Sequence, residues 1–94
     1  MDLVKLFGSR SRVKLLEKLV IEDVVARSST GFFIRELCRD TDEQINAVRR
    51  ELMNLEALTI LKSYEQNKKK YYMMNHNCAI YHEIVEMFLK AYNV

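Results

Sequence analysis

Gln44, Asn46, Arg49 and Arg50 are crowded into one short segment, and all four carry hydrogen-bonding side chains. Their chemistry is that of base-edge recognition, because a guanidinium pairs bidentately with guanine and a carboxamide with adenine. A second cluster, Lys68-Lys69-Lys70, supplies point charges that suit phosphate rather than any one base. His76, Cys78 and His82, followed by Glu83 and Glu86, are metal-ligating residue types whose spacing matches no tight zinc motif. No metal and no other cofactor is expected. The chain lacks a Gly-rich phosphate loop and a His-Glu-x-x-His sequence, and no nucleophile stands with a base and an orienting acid, so it does not read as an enzyme.

The elements that must position these groups can be followed along the chain. There is no proline, and glycine occurs only at Gly8 and Gly31, so caps and turns must do the punctuating. Leu3, Leu6 and Phe7 form a lead-in turn ending at Gly8. Val13, Leu16, Leu19 and Val20 recur at helical spacing behind Ser9 or Ser11, which predicts a helix from about Arg10 into the Val24 region. The polar loop Arg27-Ser28-Ser29-Thr30-Gly31 precedes a short apolar segment, Phe32-Phe33-Ile34, with extended character. A helix of one or two turns follows over Arg35–Arg39, stopped by Asp40-Thr41-Asp42, and a longer helix begins at once. In that helix Ile45, Val48, Leu52 and Leu55 share one face, Gln44, Asn46, Arg49, Arg50 and Asn54 share the other, and Thr41 with Gln44 has the spacing of a capping box. Thr59 to Glu65 and Lys70 to Asn75 read as strands joined by the four-residue turn Gln66-Asn67-Lys68-Lys69, and a final helix runs from about Cys78 to the end.

This order, mainly α with a small β-hairpin (α+β), is that of a single winged helix-turn-helix domain covering residues 1–94. The recognition helix, about 43–57, would enter the major groove, and the wing, about 65–70, would rest on the backbone or reach the minor groove. The DNA-contacting residues expected on this reading are Gln44, Asn46, Arg49, Arg50, Lys68, Lys69 and Lys70. A reading from another class keeps the fold but makes it a protein-interaction adaptor that uses the acidic corner and the final helix. The two differ in salt dependence, which is steep only for a phosphate binder.

Leu6 to Leu16, Ile34-Arg35-Glu36-Leu37, Glu43 to Leu52 with Leu55-Glu56, and Asn67 to Tyr72 together resemble small prokaryotic winged-helix regulators of the arsenical-resistance-repressor type. The likeness covers nearly the whole chain. It implies a dimeric repressor of transcription that binds double-stranded DNA and dimerises through its first and last helices. Thr59 and Gln66 stand where that pattern usually has glycine, and Asp42-Glu43 replaces a Gly plus an aliphatic residue, two carboxylates that favour a helix N-terminus. Cys38 falls where thiolate metal sensors of the family keep their first cysteine, but Asp40 occupies the place of the second.

The charge distribution matters more than the net +2. Arg10, Arg12, Lys14 and Lys18 oppose only Glu17, and Lys62, Lys68, Lys69 and Lys70 oppose only Glu65, so two basic zones should meet a polyanion first. A chain of 94 residues buries a modest share of its surface, which favours pairing. In the last helix Tyr81, Ile84, Val85, Phe88, Leu89 and Tyr92 form a stripe broader than a wing and one short helix should cover. Leu3, Leu6, Phe7, Ile84, Val85, Phe88 and Tyr92 are therefore the expected homodimer contacts. No apolar run approaches membrane-spanning length. The start, Met1-Asp2-Leu3-Val4, lacks the features of a secretory signal, and a reducing cytoplasm is expected.

Overall fold

The computed structural model describes residues 3–91, so Tyr92, one of the expected dimer contacts, lies outside them. Helix α1 (Leu3–Phe7) ends at Gly8, whose φ of 73° turns the chain sharply. Ser9 then accepts a hydrogen bond from the Arg12 N–H at 3.1 Å and starts α2 (Arg10–Val20). The helical path continues through a π turn, Ile21–Val25, which reaches the expected end of the segment. Leu15, Leu16, Leu19 and Val20 are all buried, and α2 touches α1, α3 (Ile34–Thr41), α4 (Ile45–Ala57) and α5 (Tyr81–Ala91).

The corner between α3 and α4 is built by backbone conformation. Glu36 reaches back to accept the Phe33 N–H at 3.1 Å at the start of α3, and Asp42 in the left-handed region, φ 55°, ends it. The expected capping box does not form. Thr41 is buried and donates its hydroxyl to Leu37 O at 2.6 Å within its own helix, which leaves Gln44 as the N-cap of α4 with no side-chain capping bond. The recognition segment accordingly begins its helix at Ile45 rather than at residue 43.

Strands β1 (Phe32–Phe33), β2 (Leu61–Gln66) and β3 (Lys69–Met74) form an antiparallel sheet in the order β1-β3-β2. The wing therefore has a third strand, paired Phe32↔Tyr72 and Phe33↔Tyr71. Gly31 is required at its edge, since a Cβ there would lie 2.9 Å from Tyr72 O and 3.1 Å from both Tyr64 and Tyr71. The hairpin closes through two residues, not four: Gln66 pairs with Lys69, and Asn67 (φ 53°) and Lys68 (φ 64°) both take the left-handed conformation that suits the twist of a tight hairpin.

One apolar cluster joins α2 to Leu37, Val48, Leu52, Leu55, Leu61, Met74, Ile84 and Phe88. This corrects the expected dimer surface. Phe88 is 0 % exposed and Ile84 3 % within a single chain, Leu3 is buried as well, and Phe7 packs at a tilt against Phe88, 5.9 Å between ring centroids. The long α2 and the small α1 cover the stripe that the wing alone could not, and the outer side of α5 is polar, with Glu86 paired to Lys90. Among the described residues no helix is long and apolar enough to cross a membrane.

Candidate nucleic-acid interface

Helix α4 is fixed by its inner face and presents its outer one. Val48, Leu52 and Leu55 are fully buried, whereas Ile45, expected among them, is 39 % exposed because it opens the helix at the corner. The fourth inward position is Glu51, a buried carboxylate that accepts from Arg12 Nε at 2.8 Å. Outward lie Asn46, Arg49, Arg50, Met53 and Asn54, all exposed, with Gln44 exposed at the N-terminal end. Arg49 Nη1 is 3.5 Å from Asn46 Oδ1, and Arg50 makes no ion pair among the described residues. The structure thus brings Asn46, Arg49 and Arg50 to one surface, with three-residue and four-residue spacing placing them over successive turns.

The first basic zone is largely engaged inside the protein, contrary to expectation. Arg12 is held by Glu51, Lys14 lies 3.2 Å from Glu43 and 3.3 Å from Thr41 O, and Lys18 bridges Glu22 at 2.9 Å and Asp40 at 3.3 Å. Local charge counting missed this because each acid except Glu22 is distant in sequence. Glu43 of the acidic corner is correspondingly paired: Ser11 donates to it, and that bond together with Lys14 holds the carboxyl below its ordinary range against a smaller opposing effect of burial. Burial acts against charge on both Lys18 and Asp40, yet their mutual attraction and hydrogen bonds prevail, so Lys18 is raised and Asp40 lowered.

The wing lysines have three different settings. Lys68 stands exposed at the turn. Lys69 Nζ sits 4.4 Å over the Phe33 ring, and Lys70 Nζ lies 5.4 Å over the Tyr72 ring and 3.3 Å from Glu56 Oε1. Ser63 also donates to Glu56, which lowers its pKa, while the Glu56 bond raises that of Lys70. Between wing and α4 runs an open cleft of about 420 Å³ whose walls include Phe33, Arg35, Arg49, Lys69 and Tyr72. Arg35 was not singled out from the sequence; its position in the first turn of α3, two residues past the end of β1, is the signal, legible only once β1 is seen to join the wing.

The His and Cys residues do not converge. His76 Nε2 is 2.6 Å from Asp23 Oδ1, Cys78 is buried, and burial raises the Cys38 thiol against the opposing charge of Arg49. No group of three potential metal ligands occurs among the described residues.

A short helix, a left-handed corner, a longer outward-facing helix and a basic-tipped hairpin paired to a preceding strand are now in place. The fold is a winged helix-turn-helix. No family model matches the sequence, and no curated protein matches it. Among solved structures the chain is similar to a predicted DNA-binding transcriptional regulator from E. coli, with a TM-score of 0.69 and 18% identity over 97% of this chain and 83% of that one. It is also similar to a mutant of MepR from S. aureus, with a TM-score of 0.71 and 14% identity over 98% of this chain. The winged helix-turn-helix spans 64% of the length of that second protein.

Proposed function

We propose that the chain is a sequence-specific regulator of transcription that binds double-stranded DNA, with α4 in the major groove and the wing against the backbone. The observation that carries this is the outward face of α4, where Asn46, Arg49 and Arg50 stand exposed with no carboxylate partner among the described residues, beside a lysine-bearing hairpin. Such a surface matches base edges flanked by phosphates. The similar E. coli protein, a predicted DNA-binding transcriptional regulator, supports the same reading. Membership of the arsenical-resistance-repressor type, a repressing role and a cytoplasmic setting go with it. Selection of duplexes from a random-sequence library, followed by affinity measurements over a salt series, tests it. Enrichment of one motif with a steep salt dependence is expected. A chain that enriches no motif, or whose partner binding hardly changes with salt, is an adaptor instead.

We also propose that two copies pair, now through the residues the core leaves uncovered. Leu6 is 61 % exposed and Val4 is exposed on α1, and half-buried Val85 lies on α5, the helix whose Phe88 meets Phe7 of α1. Two-fold pairing would set the α4 helices about 34 Å apart and require an inverted-repeat operator. Sedimentation of wild type and Leu6→Glu checks this: a dimer converted to a folded monomer is expected, and a wild-type monomer at micromolar concentration excludes it.

A further inference from the structure

We propose that the cleft between the start of α3, the flank of α4 and the wing seats one backbone phosphate of the bound DNA, gripped by Arg35 and Arg49 with Lys69 on the facing wall. This rests on the DNA-binding reading above. It goes further by moving Arg49 from base edge to backbone and by adding Arg35, which lies outside the helix and the wing tip.

The geometry of the duplex requires something to fill this cleft. A helix in the major groove and a hairpin at the adjacent minor groove straddle the phosphodiester ridge that separates the two grooves. The cleft, about 420 Å³ and open, lies between those elements. The charged groups on its walls are Arg35, Arg49, Lys69 and Lys70. No carboxylate lines the cleft: Glu56, 3.3 Å from Lys70, partly neutralises that lysine from beside the wall, and Glu36 is turned back to the Phe33 N–H. Arg35 makes no ion pair among the described residues. The ring of Phe33 holds the Lys69 ammonium at 4.4 Å without cancelling its charge, and with Tyr72 it gives an apolar floor suited to deoxyribose. Asn46, 3.5 Å from Arg49, orients that guanidinium toward the cleft side of α4, which leaves Arg50 as the arginine directed at bases.

The test uses the tightest duplex that the wild-type chain selects from a random-sequence library, and a set of copies each carrying one neutral methylphosphonate linkage. One linkage should weaken wild-type binding about tenfold, the loss of a charge-assisted hydrogen bond. Arg35→Gln and Arg49→Ala, both at exposed positions, should bind more weakly on selected and random duplexes alike and be insensitive to that linkage. Arg50→Ala should keep the wild-type sensitivity. Unchanged far-UV circular dichroism shows that the variants are folded. If Arg49→Ala instead relaxes base preference and retains the linkage effect, Arg49 reads a base and the clamp is wrong while DNA binding stands. A wild-type chain that binds no duplex, or binds an acidic peptide in its place, overturns both.

Discussion

Arg12 of α2 donates from Nε to the buried carboxylate of Glu51 on α4 at 2.8 Å, with the two side chains 25% and 5% exposed. The pair is the polar contact that fixes how α4 is rotated about its axis, and therefore which side chains face outward. Ser11 and Lys14 on Glu43 hold the chain just before the same helix. The exposed reading face is thus set by a single turn of α2, Ser11 to Lys14.

Removing one partner of this pair strands a buried charge. A fully buried pair broken in this way loses about 3–5 kcal/mol, and the partial exposure of Arg12 reduces the expectation for Arg12→Ala to about 2–3 kcal/mol. Replacing both residues, as Arg12→Met with Glu51→Leu, should recover most of that loss. Urea denaturation of the three chains provides the check. A double variant no more stable than Arg12→Ala would mean that the packing of the Arg12 stem, not its charge, is what matters.

The outer face makes separate demands. Arg50→Ala should weaken binding to a selected duplex by about 1–3 kcal/mol and relax preference at one base pair. Neutralising Lys68 and Lys69 together should weaken selected and random DNA alike and lower the salt slope by roughly two units. If the lysine variant lost only its selectivity, the wing would be reading sequence.

These assignments show which parts of the fold were legible in the sequence. Val48, Leu52 and Leu55 announce the inner face of α4 because periodicity is local, and Asn67 announces the turn because asparagine tolerates left-handed backbone. Lys68 (φ 64°) and Thr59 (φ 62°) adopt the same conformation, but neither residue type advertises it. The partners of Arg12 and Lys14 lie far along the chain, on α4 and in the corner before it, so two of the basic residues that looked free were already paired. Phe88 had the right chemistry for either a core or an interface, and only the placement of α1 and α2 over it decides. Arg35 became a site residue through topology, when β1 closed on β3.

Acid should loosen the corner first. The carboxyl of Glu43 is held below its ordinary 4.5 in the folded chain by Ser11 and Lys14. A depressed folded-state pKa contributes stability that is present above the unfolded value and is lost as pH falls through the folded one. Stability should therefore decline progressively below about 4.5, with Glu56 and Asp40 adding in the same direction. Glu43→Gln should flatten that decline without abolishing it. Coincident acid profiles for the two chains would take Glu43 out of this account.

Alkali should act at a different contact, where α5 meets the π turn. The Tyr81 hydroxyl donates to Asp23 Oδ2, while His76 Nε2 lies 2.6 Å from Oδ1 of the same carboxylate. Burial, followed by the hydrogen bond and charge of Asp23, pushes the Tyr81 phenol from 10.0 up to about 12. Because the folded state favours the protonated phenol, its contribution is complete below the unfolded value and is lost as pH rises from 10.0 to about 12. Near neutral pH, Tyr81→Phe should lose about 1.5–3 kcal/mol, the worth of a hydrogen bond to a charged acceptor. As pH rises through that window the parent should lose its advantage and the two stabilities should converge. Denaturant midpoints across the window measure this, and phenolate absorbance adds an independent reading, since Tyr81→Phe should delete the absorbance step at about 12. A gap that persists undiminished above the window would show that Tyr81 stabilises the fold by its ring packing against His76 and not by its proton.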